Sequence, residues 1–145
     1  MKSDRQEKAS AYFLQGYNCS QSVVMAFEDK LGFDKEALAK MSVGLGGGVG
    51  RMREVCGCVS GMAVVLGLLY GSEEPDSKNE VYPLIQKACE EFKKQNRSIV
   101  CRELLAGVPV TTGGTAEPRT ENFYKKRPCA ELIEEAAGII EEMIQ

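Results

Sequence analysis

Hydrophobic positions along this chain recur at spacings of three and four almost throughout, the period of helices that bury one face. From about Ser3 to Gln15 the face carries Ala9, Tyr12 and Phe13, and Gly16 ends the segment. Asn18 is a good N-cap for a second helix running to about Leu31, with Cys19, Val23, Ala26 and Phe27 inward. Asp34 caps a third, short helix through Ala37, Leu38 and Met41. A helix from about Cys56 to Tyr70 is apolar nearly all round and stops at Gly71, which marks it as a core helix. Ser77 to about Asn96 predicts a long helix with Val81, Leu84, Ile85, Ala88, Cys89 and Phe92 on one face, and Pro83 either lies in its first turns or kinks it. Ser98 caps a short helix through Cys101, Leu104 and Leu105. Pro128 suits the first position of a last helix burying Cys129, Leu132, Ile133, Ala136, Ala137 and Ile140.

Two stretches escape the pattern. Gly44 to Arg53 is too rich in glycine for a helix interior and reads as a shaped loop, and Gly107 to Thr120 is irregular. No strand pair is suggested. The expected class is all-α: one domain over residues 1–145, a compact bundle of about six to seven helices with a glycine-rich loop.

Composition narrows the function. With 18 basic and 21 acidic residues the net charge is -3, so the basic footprint of a nucleic-acid binder is missing. The longest apolar run falls short of the ~20 residues of a membrane span, and the charged opening Met1 to Lys8 lacks a secretory signal's apolar core. A cytoplasmic protein is expected, without membrane or nucleic-acid partners. The absence of histidine removes the commonest general base and excludes Ser-His-Asp and Cys-His triads.

Six cysteines remain, at 19, 56, 58, 89, 101 and 129. Cys19, Cys101 and Cys129 each fall in the first turn of an expected helix, where unpaired N–H groups and the positive end of the dipole favour a thiolate. Arg51 and Arg53 before Cys56, Arg102 after Cys101 and Arg127 before Cys129 reinforce the effect. Cysteine on an apolar face is also an ordinary small core residue, and for Cys89 in mid-helix that reading is preferred. Cys56-Gly57-Cys58 has a spacing that can chelate a soft metal or form a strained disulfide. No zinc-knuckle pair or ferredoxin run is present. The loop carries neither nucleotide-binding glycine motif, and Gly47 and Gly48 read as positions that let neighbouring backbones approach.

The segments Gly16-Tyr-Asn-Cys19-Ser-Gln-Ser-Val23, Gly46-Gly-Gly-Val-Gly50-Arg-Met-Arg-Glu-Val-Cys56-Gly57-Cys-Val-Ser-Gly61, Cys101-Arg-Glu-Leu-Leu105 and Arg127-Pro-Cys129 together resemble the redox-active family named for its cysteine pattern, C_GCAxxG_C_C. The resemblance implies a compact helical domain whose four characteristic cysteines fall on Cys19, Cys56, Cys101 and Cys129. Aligning Cys56-Gly57 with the family's Cys-Gly-Ala puts Gly61 on the last glycine of the motif and leaves Cys58 where alanine is usual. A related domain in a split-Soret type cytochrome is associated with an iron–sulfur cluster, so the resemblance implies redox chemistry without choosing its form.

Three functions follow as expectations. In the first, the four family cysteines gather in one pocket and exchange between dithiol and disulfide, with Arg51 and Arg53 stabilising the thiolate and Gly47, Gly48 and Gly57 shaping the site. The protein is then a thiol-dependent oxidoreductase serving a redox partner protein or a small thiol. In the second, the same four sulfurs hold an iron–sulfur cluster or another thiophilic metal, with Cys58 as an additional ligand. In the third, the chain is a non-catalytic helical interaction protein with structural cysteines. A homodimer is compatible with all three.

Overall fold

The computed structural model describes residues 1–145 and contains nine α-helices, with no β-strand. They are α1 Asp4–Leu14, α2 Cys19–Met25, α3 Glu28–Leu31, α4 Lys35–Ser42, α5 Gly57–Tyr70, α6 Lys78–Asn96, α7 Cys101–Leu104, α8 Glu121–Lys126 and α9 Cys129–Met143. The all-α expectation holds. No helix is long and apolar enough to cross a membrane.

Capping sets where the first helices begin. Ser3 and Asn18 each close a capping box, with Gln6 and Gln21 respectively, and the Asp34 side chain accepts from Ala37 N. The second expected helix is cut in two. The regular helix ends at Met25; Ala26 is still in the right-handed region, and the chain departs from it at Phe27, with φ -108 and ψ 17. Arg5 holds the break: its Nη1 donates to Ala26 O at 2.7 Å, its fork grips Asp29 at 2.7 and 3.1 Å, and its guanidinium lies 4.6 Å over the Phe27 ring. A carbonyl freed from the helix is thereby satisfied.

Other differences are smaller. The third helix forms with its Asp34 cap, burying Leu38 while Met41 lies 43% exposed. Ser98 is not the N-cap of α7, which is Val100; its hydroxyl instead accepts from Val100 N and donates to Glu103. Pro128 stands at the N-cap of α9, and α6 runs on through Pro83. Helix α8, capped by Thr120, was not expected.

The core joins α1, α2, α5, α6 and α9 around Phe13, Val23, Met25, Phe27, Met62, Leu66, Phe92, Ile133 and Ile140. Two packings decide where the helix ends fall. Helices α2 and α5 run parallel: an added Cβ at Gly57 would lie 3.1 Å from Ser20 N, and one at Gly61 would lie 3.1 Å from Val23 Cβ. Helices α1 and α9 run antiparallel, since Ser3 bonds Glu141 and Gln6 reaches Glu134 O, while Phe13 lines the same cavity as Cys129. The starts of α2, α5 and α9 and the end of α1 therefore share one pole of the bundle.

Candidate functional site

At that pole lies a cavity of about 340 Å³. Cys19, Cys56, Cys101 and Cys129 all line it. Each stands where a helix begins: Cys19, Cys101 and Cys129 are the first residues of α2, α7 and α9, and Cys56 is the N-cap of α5. The parallel seam explains Cys19 and Cys56. Glycine at 57 lets α5 start close against Cys19, whose Cβ would stand 3.2 Å from an alanine Cβ there, tighter than ordinary contact.

Cys101 arrives by a different device. Residues 54–56 and 99–101 form a short antiparallel pairing, with Cys56 N donating to Ile99 O at 2.8 Å, Cys101 N donating to Glu54 O at 2.6 Å, and Val55 opposite Val100. Cys56 and Cys101 flank that central pair, so the period of two puts both on the other face, toward the cavity.

The glycine-rich loop leads into this pairing. Gly47, Gly48, Val49, Gly50, Arg51 and Arg53 all have positive φ, between 55° and 72°. The loop folds onto itself through Gly50 N to Gly44 O, Arg53 N to Gly47 O and Glu54 N to Gly48 O. An alanine at 48 would place its Cβ 2.6 Å from Glu54 N. With these N–H groups spent internally, the loop is a scaffold that aims two arginines.

Those arginines belong to a charged wall that the chain's periodicity does not reveal. Glu117 is its hub. Arg127 Nη2 donates to both carboxylate oxygens at 2.7 and 2.6 Å, and Arg51 and Arg53 each approach at 3.4 Å. Thr111 adds its N–H at 3.0 Å and its hydroxyl at 2.8 Å. Burial works to raise Glu117, but the two Thr111 donors and the Arg127 charge outweigh it and hold the carboxyl at about 2. Arg119 has no carboxylate partner. It donates to Phe13 O and Tyr17 O, both at 2.9 Å, and lies 4.5 Å over Phe13 and 5.0 Å over Phe123.

Arg53 reaches a thiol, with Nη1 3.8 Å from Cys101 Sγ. Arg51 is spent on the carbonyls of Thr111, Thr112, Gly113 and Thr115 and on Glu117, so it fastens the 111–117 segment over the cavity rather than bonding a sulfur. Glu117 and Arg119 escaped the sequence reading because they sit in a stretch without periodicity, where isolated charges read as solvated.

The sulfurs are not equivalent. Hydrogen bonds from the Cys129 and Cys58 thiols, helped by the Arg119 charge, hold Cys19 well below the ordinary thiol range despite burial. Contact with Cys19 and burial push Cys129 well above that range. Cys101 is raised by burial, against the pull of Arg53. Of the three thiols expected to be acidified by their helix starts, only Cys19 is. A neighbouring thiolate and desolvation outweigh the dipole at the other two. Cys19 is also the most accessible of the four, since Cys56, Cys101 and Cys129 are only 5–7% exposed.

Cys58 is fully buried and does not line the cavity; it touches Cys19 and Cys56 from behind. Cys89 lies apart on α6, and burial raises it. No three Cys, Asp or Glu side chains are placed to hold a single metal ion. Residues 17–143 match the family model described as "Putative redox-active protein (C_GCAxxG_C_C)". No curated protein and no solved structure matches the chain.

Proposed function

The chain belongs to the C_GCAxxG_C_C family, and on that premise we propose that it performs dithiol–disulfide exchange, with Cys19 attacking and Cys129 resolving. The observation that carries this reading is that all four family cysteines line one cavity, with Cys19, the most accessible of them, against Cys129 at its wall. The Cys19 thiolate attacks one sulfur of a disulfide; the substrate S–S bond breaks, and the departing thiolate takes a proton. Cys129 then loses its proton and attacks Cys19 sulfur, releasing the second substrate thiol. Two protein thiols become one disulfide as one substrate disulfide becomes two thiols, and a redox partner protein or small thiol returns the two electrons. Cys56 and Cys101, brought onto one face by the 54–56/99–101 pairing, form a second pair beside Arg53.

The same sulfurs support a second reading. Four cysteine thiols from four helix starts around one cavity are the donor set of an iron–sulfur cluster, which Cys19, Cys56, Cys101 and Cys129 would hold and which would supply one-electron transfer. Cys58 would then be a further sulfur behind the cluster ligands. The contact between Cys19 and Cys129 favours exchange, because cluster ligands stand apart around their iron core.

Anaerobic purification followed by iron and sulfide analysis, and peptide mapping of the protein equilibrated in an oxidising thiol buffer, decides between them. A Cys19–Cys129 disulfide that reverses on reduction is the expected result. Stoichiometric iron and sulfide would replace the exchange reading with the cluster. Six unmodified thiols and no metal would leave an interaction protein with inert cysteines.

A further inference from the structure

The charged residues lining the cavity are four arginines, Arg51, Arg53, Arg119 and Arg127, and one carboxylate, Glu117. Three of the guanidiniums are strongly shielded from solvent: the side chains of Arg51, Arg53 and Arg127 are 14%, 8% and 6% exposed. Carbonyl partners satisfy N–H groups of Arg51 and Arg53 without cancelling their charge, whereas Arg127 pairs with Glu117. Arg127 bonds through Nη2 alone, which leaves Nε and Nη1 without a protein acceptor.

Shielded cations without matching anions are costly, and folds keep them where a negative group completes the balance. A Cys19 thiolate supplies one such charge beyond Glu117. Two positive charges still exceed the negative ones. The starts of α5 and α9, both helices longer than three turns, add their dipoles with the same sign. Phe13, Leu104, Leu105, Phe123 and Leu132 supply apolar wall between the charges, as in sites for small molecules.

We propose that the substrate of the thiol site is a small disulfide bearing carboxylates, drawn into the cavity by the surplus arginine charge and cleaved beside Cys19. This rests on the exchange reading and specifies its substrate. The carboxylates occupy the balance left by Glu117, and the disulfide is held against the apolar wall. The electron balance is that of the exchange already described: two protein thiols are oxidised, and the substrate leaves as two thiols that carry its carboxylates away.

The test uses the reduced full-length protein and three disulfides of similar size: 3,3′-dithiodipropionate as dianion, bis(2-hydroxyethyl) disulfide as neutral compound and cystamine as dication. Single-turnover oxidation rates are each divided by the rate with 2-mercaptoethanol, which removes intrinsic reactivity. At low ionic strength the dianion should exceed the neutral disulfide by about tenfold or more, the dication should fall below it, and the spread should collapse at ~1 M salt. Arg119→Gln should shrink the dianion-to-neutral ratio and Arg119→Lys should retain it; the ratio cancels any change in Cys19 reactivity. Equal normalised rates in the unaltered protein would overturn the proposal and leave exchange standing. Failure of all three disulfides to oxidise the protein would overturn the exchange reading and this inference with it.

Discussion

Substituting two glycines of one helix separates the packing reason for the family motif from simple helix propensity. Gly61 and Gly67 both lie inside α5, but an alanine Cβ at 61 would stand 3.1 Å from Val23 Cβ, 3.2 Å from Ser20 O and 3.3 Å from Val23 Cγ1, whereas one at 67 would meet nothing within 4 Å. Ser20 and Val23 are both fully buried, so neither can swing away. Overpacking such a seam costs about 1–3 kcal/mol, and replacing a helical glycine by alanine returns roughly 0.5–1 kcal/mol. Gly61→Ala should therefore lose about 1–2 kcal/mol, a fall in Tm of roughly 2–8 °C, whereas Gly67→Ala should gain about 0.5–1 kcal/mol. Urea unfolding of the reduced proteins, followed by far-ultraviolet circular dichroism, reads both, provided the slope with denaturant is unchanged. Cys58 rides on the same first turn as Gly57, so a widened seam also draws one hydrogen-bond donor away from Cys19 and should raise its alkylation midpoint. If Gly61→Ala proved as stabilising as Gly67→Ala, the account of how α2 and α5 bring Cys19 and Cys56 to one pole would be wrong.

Two further expectations concern titration. Cys19 is held below the ordinary thiol range when folded, so iodoacetamide should label it at pH values where the urea-unfolded chain no longer reacts; Cys129→Ala removes the largest contribution and should move that profile upward, and an unshifted profile would deny the contact its role. The folded carboxyl of Glu117 titrates at about 2 against an ordinary 4.5, so it adds stability above the higher value that is lost as pH falls toward the lower. Acid unfolding should therefore be less steep across that window in Glu117→Gln than in the unaltered protein, and identical slopes would show that the arginine hub is not anchored by this charge.

The thiols were legible because their positions follow from local rules. Asn18 before Cys19, Pro128 before Cys129 and the end of a glycine run before Cys56 all mark helix starts, and helices that share one pole bring such starts together. The break between α2 and α3 was not legible, since the arginine that satisfies Ala26 O comes from another helix. The same holds for Cys101, placed by a backbone pairing with residues 54–56 too short to leave an alternating pattern.

The charge around the thiols has a different origin from the thiols themselves. Glu117 and Arg119 lie in a segment whose shape is set by Thr111, by the Phe13 and Tyr17 carbonyls and by the guanidiniums of a loop some sixty residues earlier. Periodicity says nothing about such a segment, yet it adds a charge beside one sulfur: helix starts alone would acidify Cys19, Cys101 and Cys129 alike, and only Cys19 combines donating thiol neighbours, the larger influence, with the lesser pull of Arg119. Cysteine spacing thus determines which sulfurs can meet. The 111–119 segment supplies Arg119 and Glu117, the charges from which the proposed preference for an anionic disulfide is argued.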